Sequence, residues 1–309
     1  MKFYMLALFI LVSLIATVFA GEISISVAAG KLDRRETIVS FPWPQASDGA
    51  WRLRDEGGAT TPLQLDSAKT ARFILKELKA EQTKNFVLEK DTEVRQGGVL
   101  AVRKGSQVEV TVGGKKVLCY QAEKSALPEG VLPIFERGGY IHPVLTPSGK
   151  TISDDFPADH RHHHGIWMPW TKTEFEGRKP DFWNMGEGKA RVDFLGFDGF
   201  DSGPVLSRFS GRQVYLDTLV SPPVRVLEDT WQVTVVPIRL PDAPPFHLFD
   251  LRSEQRIVAA QALELPKYYY GGVGLRGPWN WNGKANARYL DSNGVTNRVT
   301  ANETRARWY

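Results

Sequence analysis

The sequence is poor in cysteine and carries no large excess of charge of either sign. Its single cysteine, Cys119, excludes an intramolecular disulfide. The 39 Lys and Arg residues are nearly balanced by 35 Asp and Glu residues, which is not the basic surface that nucleic acid requires. Cys119 lies in a strand-like run between Leu118 and Tyr120, which predicts a buried, unreactive thiol. We therefore predict neither a disulfide-stabilised fold nor a nucleic-acid partner.

Long apolar runs are also absent, except at the start of the chain. Residues 1–20 hold one lysine, then an apolar run, then Val18 and Ala20. This is the pattern of a secretory signal peptide cut after Ala20, and the run is shorter than the ~20 residues of a membrane helix. An uncleaved N-terminal anchor is the alternative. We expect a periplasmic or secreted protein with no transmembrane domain beyond the signal peptide, since export without disulfides fits a bacterial envelope.

Helical periodicity is missing after residue 20, and period-two alternation takes its place. Apolar and polar residues alternate through Glu22–Ala28. Alternating valines run into Gly113 and Gly114 and out again to Tyr120, which predicts a hairpin. Further strands are predicted at residues 35–41, 51–54, 73–78, 85–89, 191–197, 214–220, 225–228, 231–240, 246–252 and 255–258.

This spacing predicts an all-β fold, a large β-sandwich. We place a soft boundary near residue 100. Residues 21–100 are expected to form an N-terminal strand region or small β-sandwich, and residues 101–309 the main sandwich domain.

Five of the six histidines fall within residues 140–170, among aspartates and tryptophans. They are His142, His160, His162, His163 and His164. If residues 159–167, DHRHHHGIW, form a strand or strand end, His160, His162 and His164 share one face, and Arg161 and His163 the other. Imidazole transfers protons or binds metals near neutral pH, so we interpret the block as a functional site. Solvated loop histidines, or core histidines with satisfied hydrogen bonds, are the alternative interpretation.

Two kinds of chemistry fit this block. In the first, His160, His162 or His163 acts as a general acid and Asp159 orients it. In the second, His160, His162 and His164 are candidate ligands of a divalent transition metal, because imidazoles two residues apart on a strand can share one cation.

The aromatic and cationic residues near the block predict a ligand surface. Flat aromatic rings stack on sugars, and arginine supplies fixed donors to hydroxyl groups. The alternative is that the aromatic side chains belong to the core, and that residues 268–276, YYYGGVGLR, form a core strand. The predicted substrate-binding residues are His142, Arg161, Trp167, Trp183, Tyr269 and Arg276.

Three segments resemble a known family. HPVLTPSGKTISDDFPADHRHHHGIWMPW (residues 142–170), YYYGGVGLRGPW (residues 268–279) and NETRARWY (residues 302–309) resemble blocks of the DUF6807 proteins, also labelled PmoA or methane oxygenase PmoA. The resembling part covers about residues 100–309. The family's usual form is closer to DHPHHRGLW, so Arg161 stands at the Pro position and His164 at the Arg position. An anion-binding role of that arginine would not carry over to this chain.

The resemblance also implies expectations about fold and completeness. A large sandwich with a histidine-rich cleft is similar to the galactose mutarotase-like supersandwich, a fold often used on sugars. The ending, Thr304 to Tyr309, has the pattern of a strand without a closing turn, and the family continues beyond it. We therefore expect a C-terminally truncated chain with an unpaired sheet edge.

These patterns together predict an exported carbohydrate-active protein whose ligand is a small molecule or oligosaccharide. A hydrolase, lyase or epimerase is the favoured class. A non-enzymatic sugar-binding module is the alternative, and a copper-dependent oxygenase-related protein is suggested by the family label alone. The membrane subunit of particulate methane monooxygenase is excluded, because no second apolar segment could span a bilayer.

Overall fold

The protein is described by a computed structural model over residues 14–19, 22–43, 49–92, 97–124, 127–283 and 285–309. Within these ranges all strand pairings are antiparallel and the strands form four sheets, which confirms the all-β prediction. The same ranges contain no helix that is long and apolar enough to cross a membrane. Most of the predicted signal peptide, including Ala20, lies outside the described residues.

The first eight strands form two sheets around one apolar core. The core contains Ile25, Val27, Leu53 and Phe73, all fully buried. One sheet has the order β1 (Leu14–Phe19), β2 (Glu22–Ala28), β8 (Thr83–Lys90), β4 (Trp51–Asp55), β5 (Thr60–Pro62). The other has the order β3 (Arg34–Pro42), β7 (Thr70–Leu78), β6 (Gln64–Leu65). Buried positions alternate with more exposed ones through residues 23–28 of β2 and along β8, so this sheet offers one apolar face to the other.

The remaining strands form a second pair of sheets with a core of their own. Tyr120 and Trp231, fully buried, come from opposite sheets and pack with centroids 6.2 Å apart. One sheet has the order β18 (Gly274–Leu275), β13 (Ile166–Trp167), β12 (Tyr140–Val144), β11 (Lys115–Gln121), β10 (Gln107–Val112), β9 (Val99–Lys104). The other has the order β14 (Ala190–Asp201), β15 (Ser207–Asp217), β16 (Val224–Val236), β17 (Leu248–Ile257).

The predicted hairpin is confirmed as β10 and β11. Gly113 and Gly114 form its turn, both with positive φ. Cys119 on β11 is 3% exposed, and burial raises the pKa of its thiol to about 11. A thiol with this pKa is not a nucleophile at neutral pH, in agreement with the predicted unreactive cysteine.

Two pairs of strand predictions are wrong in their boundaries. Residues 246–252 and 255–258 were predicted as separate strands, but the structure has one strand there, β17 (Leu248–Ile257). Residues 225–228 and 231–240 were predicted as separate strands, but the first and most of the second belong to β16, which ends at Val236. The break is absent because Asp229 and Thr230 pair in register with Gln213 and Arg212 of β15.

The predicted strand at the C-terminal end is also wrong. Residues 302–309 form a turn and irregular chain after a short helix, α1 (Arg298–Ala301). Ser292 holds this segment: its backbone N–H donates to Trp308 O at 3.0 Å, and its hydroxyl accepts from Arg307 N at 2.7 Å. These bonds replace a strand ladder. Three single 3₁₀ turns complete the described helices: Pro133–Phe135, Met185–Glu187 and Trp279–Trp281.

One buried side chain connects the two pairs of sheets. Gln64 on β6 is 4% exposed, and its Oε1 accepts from the backbone N–H groups of Val205 and Leu206, each at 2.9 Å. Its Nε2 donates to Leu206 O at 2.9 Å. Both lone pairs of the amide oxygen and one of its two N–H donors are therefore used on the loop between β14 and β15.

Candidate functional site

The histidine block is a pair of turns, and the prediction of a strand through it is wrong. His160 N donates to Pro157 O at 3.0 Å, and His163 N donates to His160 O at 2.9 Å. Phe156, at φ +50°, closes the loop by donating its N–H to His163 O. The ladder resumes only at Ile166 in β13. In successive turns of this spacing, residues three apart in the sequence lie on the same side of the loop. In a strand, residues two apart would do so.

As a result, the rings of His160, His162 and His163 contact one another. His160 and His163 stack with centroids 4.6 Å apart and an interplanar angle of 14°. His162 stands edge-on to His163 at 4.7 Å and to His160 at 5.8 Å. We call these three rings the histidine triad. The structure thus brings together all three imidazoles predicted to act in proton transfer.

Asp159 connects the triad to Arg276. Its Oδ2 lies 3.1 Å from His160 Nδ1, and its Oδ1 accepts from Arg276 Nη2 at 3.0 Å. Burial alone would raise the pKa of Asp159, but the hydrogen bond to His160 and the charge of Arg276 outweigh it and lower that pKa. Asp159 is therefore an anion at neutral pH that can orient the His160 ring.

The sheet explains how Arg276 reaches a loop more than a hundred residues earlier. β18 pairs with β13, with Leu275 opposite Ile166. Just beyond the pairing, Arg276 N donates to Gly165 O at 2.8 Å, and Asp154 N donates to Arg276 O at 2.9 Å. The arginine is fixed at the edge of the turns by its own backbone.

An aromatic row continues from the triad. His163 lies 5.2 Å from the Trp167 ring and 5.6 Å from the Trp183 ring. Trp183 contacts Tyr270 at 4.7 Å, and Tyr270 contacts Tyr269 at 4.7 Å. Trp167 is 2% exposed, whereas Tyr269 is 61% exposed. The row therefore runs from the core to the surface. The alternative interpretation, a core strand through residues 268–276, does not hold for the tyrosines, since β18 begins only at Gly274.

Burial keeps the inner rings of the triad neutral. Burial first, and then the neighbouring His162 and His160 rings, lower the pKa of His163 to about 3. Burial, followed by His160 and His164, also lowers the pKa of His162. Both side chains therefore offer one N–H donor and one acceptor nitrogen near neutral pH.

His164 does not share a face with His160 and His162. It is completely buried, and its Nδ1 lies 2.6 Å from Asp155 Oδ1. Its ring packs on Tyr140 at 4.4 Å and on Phe156 at 4.8 Å. Burial lowers the pKa of His164 despite the carboxylate. The structure therefore does not assemble the predicted metal ligands His160, His162 and His164, and no group of three His, Cys, Asp or Glu side chains in the described part of the chain is arranged to hold a metal ion.

The two remaining predicted residues, His142 and Arg161, form hydrogen bonds near the turns. His142 Nδ1 lies 2.9 Å from Ser153 Oγ, and burial lowers the pKa of this histidine. Arg161 Nη1 donates to Phe156 O at 2.7 Å, across the turn that contains it. These contacts support the loop, and a substrate-binding role of either residue stays a prediction.

Two surface cavities in the described part of the chain lie elsewhere. One, of about 620 Å³, is lined by charged residues that include Glu174, Arg178 and Glu264. The other, of about 690 Å³, is lined by apolar and proline residues together with His247, the sixth histidine. Neither cavity is lined by a residue of the triad.

A comparison with protein families gives a match to this part of the chain. A model described as a family of unknown function, DUF6807, matches residues 107–309. This chain belongs to the DUF6807 family. The DUF6807 match starts at β10 and includes the turns, the aromatic row and Arg276, while the first pair of sheets lies before it. No curated protein sequence matches the chain.

Sequence reasoning missed two parts of this DUF6807 site. Tyr270, not Tyr269, contacts Trp183, and Asp155 bridges His164 and Tyr140 by accepting from both. Three successive tyrosines give no signal for which ring faces inward. The adjacent pair of aspartates, Asp154 and Asp155, was visible in the sequence, but only the loop path shows which one is directed at a histidine.

Proposed function

We propose that this protein is exported and acts on carbohydrate, with His160 as the group that transfers a proton. The observation that carries the proposal is Asp159, which holds His160 Nδ1 on one oxygen and Arg276 on the other. In the neutral ring the proton then resides on Nδ1, so Nε2 presents a lone pair. The imidazolium formed when Nε2 takes a proton is stabilised by the carboxylate.

The aromatic row supports a sugar as the ligand. The apolar face of a pyranose ring stacks on indole and phenol rings, while its hydroxyls need donors and acceptors around the rim. Trp183 and the tyrosine rings supply the faces, and the neutral His162 and His163 supply both kinds of polar atom. Proton transfer at oxygen or carbon is common to hydrolases, lyases and epimerases, and we propose this shared step without choosing among them.

Export is proposed on the sequence pattern of residues 1–20 and the single cysteine. The likeness to the galactose mutarotase-like supersandwich adds a fold analogy in favour of sugars.

A non-enzymatic sugar-binding module is the second candidate. Its support is exposure: Tyr269 is 61% exposed and Trp279 57% exposed on the same chain segment. An open row of rings is sufficient to bind an oligosaccharide without any bond change. The copper-dependent oxygenase class receives no support, because the residues present do not fit a three-ligand metal site within the described chain.

Turnover with purified full-length protein separates the two candidates. A panel of oligosaccharides and monosaccharides is assayed for bond cleavage, unsaturated products and epimerisation. His160→Ala should lower kcat at least ~100-fold, because a general acid–base group contributes that much. His162→Ala and His163→Ala should raise KM or lower kcat as well. His247→Ala, which changes a histidine at the second cavity, is the matched control.

Asp159→Asn tests whether Asp159 orients the His160 ring for catalysis or only stabilises the fold. It should shift the pH profile of kcat while leaving the unfolding midpoint within the range of the His247→Ala control. Binding of glycans with no turnover across the panel would reject the enzyme and favour the binding module. Normal turnover by His160→Ala would reject the assigned role of His160.

A further inference from the structure

Arg137 is a fully buried cation without a counter-ion. Its side chain lies before β12 and is 1% exposed. Nε donates to Gly138 O at 3.2 Å, but Nη1 and Nη2 form no well-aligned hydrogen bond in the described part of the chain. A buried charge costs several kcal/mol unless it is paired, so these two nitrogen atoms require an explanation.

The backbone holds Arg137 in this position. A Cβ on Gly138 would stand 2.1 Å from Ala122 O, and a Cβ on Gly139 would stand 2.2 Å from the Gln213 side chain. Gly139 N also donates to Gln121 O at 2.6 Å. The segment is therefore wedged between the end of β11 and β15, and the guanidinium is directed into the space between the two sheets.

The surrounding side chains are not anions that could neutralise it. The phenols of Tyr215, Tyr140 and Tyr120 are its neighbours, and the Tyr215 hydroxyl is close enough to accept from the guanidinium. A neutral phenol oxygen does not compensate the charge of an arginine. Burial raises the pKa of Tyr120 and of Tyr215 far above neutral pH, so both stay uncharged. His164, also close, is neutral or positive in either protonation state.

Two carboxylates in this region, of which Asp229 is buried and Asp155 is partly buried, are bound to other donors. Asp155 accepts from Tyr140 at 2.8 Å and lies 2.6 Å from His164 Nδ1. Asp229 accepts from Trp231 Nε1 at 2.9 Å and from Ser253 Oγ at 2.7 Å. Neither forms an ion pair with Arg137 within 4.0 Å in the described residues.

We propose that Arg137 binds a small monovalent anion, a halide or a small carboxylate, inside the main sandwich. Nη1 and Nη2 are two donors. The Tyr120 hydroxyl, which accepts from Gln213 Nε2 at 2.9 Å, has its own proton available as a third. Water could satisfy these donors but would leave the charge uncompensated, whereas an anion does both. The site is closed, which limits the ligand to a few atoms, and it is separate from the histidine triad.

Thermal unfolding in different salts tests this site on the full chain. The protein is refolded in sodium gluconate, which is too large to enter, and compared with protein refolded in sodium bromide or sodium formate at equal ionic strength. We expect a saturable rise in Tm of at least about 2 °C with bromide. If formate raises Tm and bromide does not, the site binds carboxylates. If bromide raises Tm and formate does not, the site binds halides. Equal Tm values in all three salts would overturn the proposal.

Two variants separate the site from general salt effects. Arg137→Met should abolish the anion dependence of Tm, while Arg103→Met, which removes an exposed arginine bound to Glu123, should retain it. If Arg137→Met does not fold, crystals of the unmodified protein grown in bromide decide the matter. An anomalous peak beside both Nη atoms supports the site, and its absence at full bromide saturation rejects it.

Discussion

His163 is the residue whose neighbours predict a clear response to pH. Its pKa, lowered from 6.5 to about 3, means that the folded protein binds fewer protons than the unfolded chain between these values. The stability that this neutral ring contributes is complete above pH 6.5 and is lost as the pH falls toward 3.

His163→Gln should therefore flatten the acid side of the stability curve. The free energy of unfolding of the unmodified protein should fall more steeply from about pH 7 to about pH 4.5 than that of His163→Gln. Urea unfolding at a series of pH values measures this. His160→Gln removes only a secondary cause of the lowered pKa of His163, so it should flatten the acid side less than His163→Gln does. Parallel curves for His163→Gln and the unmodified protein would contradict the lowered pKa.

The sequence was a good guide to which site residues matter and a poor guide to their directions. Clustering in the chain indicated His160, His163 and Asp159 correctly as neighbours. The alternation rule then assigned His164 to the wrong side, because a strand and two successive turns place the same residues differently. The partner of Asp159, Arg276, was named as a ligand-binding residue, but its ion pair depends on sheet pairing that no local pattern reveals.

At the scale of single elements, the short strand β13 depends on close backbone contact. A Cβ on Gly165 would stand 2.1 Å from Ile141 O and 3.0 Å from His142 Cβ. Gly165→Ala should therefore push β13 from β12 and cost about 1–3 kcal/mol through overpacking. It should also displace Arg276, whose N–H donates to Gly165 O.

Gly57→Ala is the matched control for this change. Its Cβ would meet only Asp55 Oδ1 at 3.5 Å, and neither glycine has a positive φ. The free energies of unfolding of both variants are compared by urea titration. Equal losses would show that β13 and β12 are not in tight contact at this point.

Strand prediction succeeded where one face of the strand is buried and failed where the fold is set by distant pairing. The alternating residues 22–28 coincide with β2, and the Gly113–Gly114 hairpin is formed as expected. The polar positions near Glu228 look like the end of a strand, yet β16 continues through them, since β15 and β17 pair with both of its edges. Local polarity does not report such pairing.

At the scale of the whole molecule, Gln64 is a test of coupling between the two pairs of sheets. Gln64→Ala removes one side chain and leaves two buried backbone N–H groups, of Val205 and Leu206, without their acceptor. We expect a loss of about 2–6 kcal/mol in the free energy of unfolding, because each of the two unsatisfied buried groups costs about 1–3 kcal/mol. Gln82→Ala, at an exposed position before β8, should change stability little. Equal free energies of unfolding for Gln64→Ala and Gln82→Ala would show that the hydrogen bonds of Gln64 do not stabilise the contact between the two pairs of sheets.

The predicted signal peptide is a second whole-molecule question. N-terminal sequencing of protein recovered from the envelope of the native host should give a chain that begins at Gly21. Recovery of an intact Met1 in a membrane fraction would instead support an uncleaved anchor.

The pairing of β1 with β2 gives that cleavage a structural consequence. β1 supplies six residues, Leu14 to Phe19, to a ladder with β2, and all of them precede the cut. Their removal would turn β2 into the border of its sheet, with unpaired amide and carbonyl groups along one side. Maturation would thus create a docking edge for an added strand from another polypeptide, so the precursor and the mature protein would differ in their tendency to self-associate.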